Sequence, residues 1–109
     1  MTLTPEELLD RLKYSITTSK DSTTYRIDGK IHRDNDLPAI IKADGSEFWY
    51  KDGERHRGDD QPAVLDLNGS KYWYKDGNRH RDNNQPAIIF ADGYKAWWVN
   101  GKFIRKEKP

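Results

Sequence analysis

A 24-residue unit recurs along most of this chain, and that recurrence limits what the chain can fold into. Residues 28–51, 52–75 and 76–99 align without a gap, and residues 100–105 open a further copy. Asp, Gly, His, Arg, Pro, Ala, Gly and Trp hold the same positions in every full unit. In the second unit they are Asp52, Gly53, His56, Arg57, Pro62, Ala63, Gly69 and Trp73. Self-similarity at this period means supersecondary units that cannot bury a face alone and stack so that each covers its neighbour.

Composition agrees with a thin, stacked object. The hydrophobic fraction is 34% and the mean hydropathy −1.08, which is lean for a two-layer globule. Four Trp, six Tyr and three Phe argue against disorder, because each supplies a large contact area. The absence of cysteine excludes disulfides and thiolate metal sites. Nineteen basic and 18 acidic residues leave a net charge of +1, too balanced for a dedicated nucleic-acid binder. The first residues lack a basic stretch followed by an apolar run, so a cytoplasmic location is expected.

Residues 1–24 read as a cap and linker. Thr4 is the expected N-cap, Pro5 the first helical residue, and Glu7 the partner of a capping box. Leu8, Leu9, Leu12 and Ile16 form one helical stripe. So short a helix needs a surface to lie on, and the end of the array is the obvious one. Residues 25–105 form the array, with two Asx-Gly signals per unit. One set is Asp44-Gly45, Asn68-Gly69 and Asp92-Gly93; the other is Asp28-Gly29, Asp52-Gly53, Asp76-Gly77 and Asn100-Gly101. Both sets predict two-residue type I′ hairpins. The polar stretches 34–37, 58–61 and 82–85 then lead to Pro38, Pro62 and Pro86 at strand starts. The expected fold is an all-β repeat: an antiparallel β-hairpin array or meander of three units plus a partial fourth, behind a short capping α-helix. Both a flat meander and a coiled solenoid fit the periodicity. Residues 106–109 make a charged tail that protects the last edge from pairing.

Two-residue turns would set Lys42 opposite Glu47, Asp66 opposite Lys71 and Phe90 opposite Lys95. Extended outward, this register separates two faces. A structural ladder carries Ile40, Trp49, His56, Val64, Trp73, His80, Ile88 and Trp97. The other face gathers Tyr50, Arg55, Arg57, Tyr72, Tyr74, Arg79 and Arg81 as a partner-binding surface, because Arg and Tyr dominate interface hot spots. The bland alternative is that arginine stems simply cover aromatic rings.

The string Trp-Tyr-Lys-Asp-Gly-x-Arg-His-Arg-(x)4-Pro-Ala, at residues 49–63 and 73–87, resembles the MORN-like repeats of bacterial and phage proteins. It covers about residues 25–105 and matches a variant with His-Arg and Pro-Ala elements in place of extra glycines. The resemblance implies an elongated hairpin array serving protein or lipid-surface contacts, with no catalytic residues. There is a weaker likeness to choline-binding cell-wall repeats.

Other motifs are better read as structure. His32, His56 and His80 share one repeat position; roughly 10 Å between neighbours is too far to share a metal, so packing is expected and no metal. The His-Arg-Asp triplets at residues 32–34 and 80–82 lack every other kinase element. The Asp/Asn-rich loops lack EF-hand spacing and read as Asx turns. The functional expectation is a non-enzymatic protein-interaction module without cofactor, on the pattern of a small phage-type inhibitor or adaptor that binds a host or defence protein. The alternative is a binder of single-stranded nucleic acid or glycan along the aromatic–Arg face. Nucleic acid is disfavoured by charge, no membrane insertion is expected, and open sheet edges offer a route to homo-oligomers.

Overall fold

In the computed structural model, which describes residues 2–109, the chain is mostly antiparallel β-sheet with one short helix, arranged as a hairpin meander. The helix α1 (Pro5–Lys13) is followed by β1 (Ser15–Thr18), β2 (Ser22–Ile27), β3 (Lys30–Ile31), β4 (Ile40–Lys42) and β5 (Glu47–Phe48). Next come β6 (Tyr50–Lys51), β7 (Glu54–Arg55), β8 (Val64–Leu65), β9 (Lys71–Tyr72), β10 (Tyr74–Lys75) and β11 (Asn78–Arg79). The chain ends with β12 (Ile88–Ile89), β13 (Lys95–Val99) and β14 (Lys102–Glu107). The main sheet runs β1-β2-β4-β5-β8-β9-β12-β13-β14, with β3 on the side of β2. The hairpins β6–β7 and β10–β11 stand apart from it as two-stranded sheets. The molecule measures 50 × 25 × 20 Å with a radius of gyration of 15.4 Å. A globule of this length would have about 13 Å, so the array is drawn out along its stacking axis.

Trp49 and Trp73 are the points where the chain leaves the main sheet for a side hairpin. The Trp49 N–H donates to Ala63 in the main sheet, and the Trp49 carbonyl accepts from His56 in its own side hairpin. Trp73 does the same with Ala87 and His80, and Tyr25 with Ala39 and His32. The indoles are buried, together with Ala39, Ala63, Ala87, Val64, Ile88, Ala96 and Trp97. Ala39, Ala63 and Ala87 are fully covered, which leaves little room for a longer side chain there.

The two sets of Asx-Gly turns behave differently. At residues 28–29, 52–53, 76–77 and 100–101, both residues have positive φ, as type I′ demands. Tyr50 accordingly pairs with Arg55 and Tyr74 with Arg79, as the register predicts. At the other set only the glycine is left-handed: φ is 98° at Gly45 and 94° at Gly69 and Gly93. There the Gly45 N–H donates to the Lys42 carbonyl and Lys42 N–H to Ser46, a three-residue loop with a glycine bulge. The expected pairs are therefore shifted by one. Ile41 faces Glu47 and Ile40 faces Phe48. Leu65 faces Lys71 and Val64 faces Tyr72, and Ile89 rather than Phe90 faces Lys95. All three loops share a local bond in which the Asx side chain accepts from the N–H two residues on: Asp44 from Ser46 at 2.8 Å, Asn68 from Ser70 at 2.9 Å and Asp92 from Tyr94 at 3.1 Å. Two of them are also tied to the next loop, where the buried Ser46 hydroxyl accepts from Leu67 N–H at 3.1 Å. Ser70 repeats this on Ala91 at 3.0 Å.

The N-terminal end corrects two further expectations. The capping box forms at Thr4 and Glu7, with both bonds at 3.1 Å, but α1 buries none of its residues. Leu9 and Leu12 are 65% and 85% exposed, and Ile16 lies in β1 rather than on the helical stripe. Residues 17–24, readable as a linker or an entering strand, belong to the β1–β2 hairpin. Polar groups and one aromatic dock the helix. Tyr14 is buried, its hydroxyl accepts from Asp34 N–H at 2.9 Å, and its ring meets Tyr25 edge-on at 5.6 Å. Asp10 meets Arg33 at 3.3 Å and Lys13 meets Asp34 at 2.6 Å. At the other end β14 includes Lys106 and Glu107, expected as tail.

Trp73→Ala is expected to cost about 3–5 kcal/mol, because it removes a buried indole and opens a cavity between two stacked units. Urea unfolding measures this, and a loss below about 1 kcal/mol would invert the assignment of buried and open faces.

Candidate functional site

The type I′ turns set Tyr50 beside Arg55 and Tyr74 beside Arg79, and stacking joins the two hairpins. Gly77 N–H donates to the Arg55 carbonyl at 2.9 Å, and Gly53 and Gly101 do the same to Ile31 and Arg79. On this row Arg55 Nε donates to the Tyr50 hydroxyl at 3.2 Å and its Nη1 to the Tyr74 hydroxyl at 3.4 Å. Arg79 Nε donates to the Tyr74 hydroxyl at 3.2 Å. The Arg55 guanidinium lies 5.3 Å from the Tyr74 ring centre and 5.8 Å from that of Phe48; Arg79 lies 5.1 Å from Trp98. These are cation–π distances. Burial opposes the charge on Arg55, yet its contacts with Tyr50 and Tyr74 outweigh that and hold its pKa above the ordinary value. A groove of about 280 Å³ runs here, lined by Phe48, Arg55, Asp66, Tyr72, Tyr74 and Arg79 among others. Lys42 lies 5.2 Å from the Phe48 ring, and Lys106 lies 5.1 Å from that of Tyr94.

Arg57 and Arg81, expected on this face, are elsewhere. Alternation would put residues 55 and 57 on one side, but β7 ends at Arg55 and the chain turns away. Arg57 covers Trp49 at 3.8 Å and Arg81 covers Trp73 at 3.9 Å. Arg57 holds Asp36 through two bonds, Nε to Oδ1 at 2.8 Å and Nη2 to Oδ2 at 3.2 Å, while Nη1 donates to the Pro62 carbonyl. Arg81 repeats the set on Asp60 and Pro86. These side chains are 13% exposed and their donors are largely committed within the chain. The reading that arginine covers aromatic rings holds for this pair. The face of Tyr50, Arg55, Tyr72, Tyr74 and Arg79 remains half-exposed.

The histidines hold units together rather than simply packing. Each Nδ1 accepts from the turn of the following unit: His32 from Asp52 at 3.0 Å, His56 from Asp76 at 3.2 Å, and His80 from Asn100 at 2.9 Å. Within the ladder Val64, Trp73, Ile88, Trp49 and Trp97 are buried, while Ile40, His56 and His80 are half-buried. Sequence reasoning missed Trp98 and Phe103, which meet edge-on at 5.5 Å. Alignment of the units could have found them, since Trp98 stands at the position of Tyr50 and Tyr74, and Phe103 at that of Arg55 and Arg79.

The Arg57 guanidinium holds the Asp36 carboxyl below its ordinary value of 3.8, and Arg81 does so for Asp60. A carboxylate depressed in the folded state contributes stability above the unfolded pKa and loses it as pH falls through the folded one. Acid unfolding is therefore expected to begin below about pH 4, and Asp36→Asn with Asp60→Asn flattens that limb in a pH series of thermal melts. Arg81→Ala should cost about 2–3 kcal/mol through lost charge-assisted bonds and an uncovered indole. Arg79→Ala should cost about 1–2 kcal/mol in the same urea titration, since it gives up one tyrosine bond and the ring contact with Trp98.

Among the described residues no group of three or more His, Cys, Asp or Glu side chains is placed to hold a metal ion. Among the described residues no helix is long and apolar enough to cross a membrane. No family model, curated protein or solved structure matches this chain.

Proposed function

We propose that this chain is a non-enzymatic protein-interaction module, three hairpin units and a partial fourth in the manner of MORN-like repeats, that receives a partner on the tyrosine–arginine face. The observation carrying this reading is the division of labour among arginines. Arg57 and Arg81 are spent on Trp rings, carboxylates and proline carbonyls. Arg55 and Arg79 are instead held by tyrosine hydroxyls at a half-exposed groove. Tyrosine supplies broad contact area at low entropic cost, and a guanidinium already oriented loses little on binding. Side chains pinned in this way suit a rigid recognition surface. A small phage-type inhibitor or adaptor, acting on a host or defence protein, is the narrower form of the reading.

The rival is a linear ligand, single-stranded nucleic acid or glycan, laid along the same aromatic row. One experiment separates them. The immobilised protein is expected to retain a stoichiometric protein from lysate, and Arg55→Ala with Arg79→Ala should lose it while the variant still melts cooperatively as a folded protein. Undiminished capture by the double variant would sink this assignment of the face. Elution of nucleic acid, with affinity falling steeply as salt rises, would favour the rival.

A further inference from the structure

The second unit breaks the pattern of its neighbours at one polar site. Each histidine receives a backbone N–H at Nδ1. An amide can only donate, so in the neutral ring Nδ1 is bare and Nε2 carries the proton. In the flanking units that proton meets a carboxylate two residues on: Asp34 Oδ1 and Asp82 Oδ1 each lie 2.6 Å from Nε2. At the corresponding position the second unit has Gly58, and among the described residues His56 Nε2 has no polar partner within hydrogen-bond distance. The His56 side chain is also more open, 25% exposed against 13% for His32 and 10% for His80.

Space and charge both suit an acid at that point. Nothing lies within 4 Å of where a Cβ on Gly58 would stand. Lys51, His56, Arg57, Gly58 and Asp59 line a common groove of about 220 Å³. Lys51 is the repeat equivalent of Lys75, which adds to the larger effect of His80 in holding the Asp82 carboxyl below its usual range. The neighbouring acids point elsewhere or stand clear. Asp36 is committed to Arg57, Asp76 Oδ1 lies 3.4 Å from the opposite nitrogen, Nδ1, and Asp59 makes no bond to the ring.

We propose that His56 Nε2–H and the Lys51 ammonium, over the open floor at Gly58, form a seat for a carboxylate supplied by a ligand. The ligand's acid would complete in the second unit the pair that Asp34 and Asp82 complete in the others. This does not depend on the tyrosine–arginine face being the partner surface.

His32 and His80 serve as controls within the same molecule. Imidazole ¹H–¹⁵N spectra are recorded at about pH 8, above the ordinary histidine range, while sodium acetate is titrated against sodium chloride at matched ionic strength. A saturable shift of His56 Nε2, with His32 and His80 unmoved, is the expected result. Gly58→Asp installs the carboxylate of the flanking units, and should abolish that shift and raise the melting temperature. Equal movement of all three rings, no movement at His56, or a response that survives Gly58→Asp overturns the proposal. So does a change in the free His56 Nε2 resonance on Asp59→Asn, which would mean the chain's own carboxylate fills the seat. A glutamate-bearing tripeptide that saturates His56 at lower concentration than acetate assigns the acid to a polypeptide; equal saturation assigns it to a free small carboxylate.

Discussion

A guanidinium lying flat on a buried indole, 3.8 Å above Trp49 and 3.9 Å above Trp73, is the contact on which the stacking of this array depends. A single layer of short strands offers no second sheet to cover its tryptophans, so each ring must be covered by the adjoining unit. The Trp indole N–H donates into the polar loop of its own unit, Trp49 to Asp36 O at 3.1 Å and Trp73 to Asp60 O at 3.0 Å. The next unit's arginine then takes the carboxylate of that same residue. One loop residue is thus gripped from both sides, and a partly desolvated cation over an aromatic ring adds about 1–2 kcal/mol per boundary. The serine hydroxyls and histidine Nδ1 atoms close the remaining backbone donors between units.

The ends of the array follow from the same rule. At the start no earlier unit exists to provide the acid for Arg33, and α1 supplies Asp10 in its place. The substitution is incomplete: Asp10 reaches only Nη2, and Arg33 Nε is buried without a partner. The helix therefore acts as a polar cap, which is why its leucines stay exposed. At the far end Asn84 replaces the acid, so Arg105 covers Trp97 at 4.1 Å but turns its Nε to Glu107. It is 45% exposed where Arg57 and Arg81 are 13%. Once the stacking contact claims one arginine per unit, only the other is left to face outward, and that allocation is what makes the tyrosine–arginine row a candidate surface.

Much of this is legible in the sequence. The Asx-Gly pairs at 28–29, 52–53, 76–77 and 100–101, the capping box at Thr4 and Glu7, and the burial of the tryptophans follow from local chemistry and period. The other Asx-Gly set reads the same in one dimension, yet all three of its members close as three-residue loops, with the Asx side chain accepting from the N–H two residues on. Likewise nothing within a unit tells Arg55 from Arg57; the distinction arises when β7 ends and Asp36, from the preceding unit, arrives beside Arg57.

The sequence by itself determined the hairpin character of the chain, its period and its cap signal, because turn geometry and strand propensity act over a few residues. The tertiary structure alone decided the side on which each arginine lies. It also decided that a helix with an apolar stripe docks through Asp10, Lys13 and Tyr14. Those outcomes rest on donors and acceptors about 20 residues apart, which meet only when units stack.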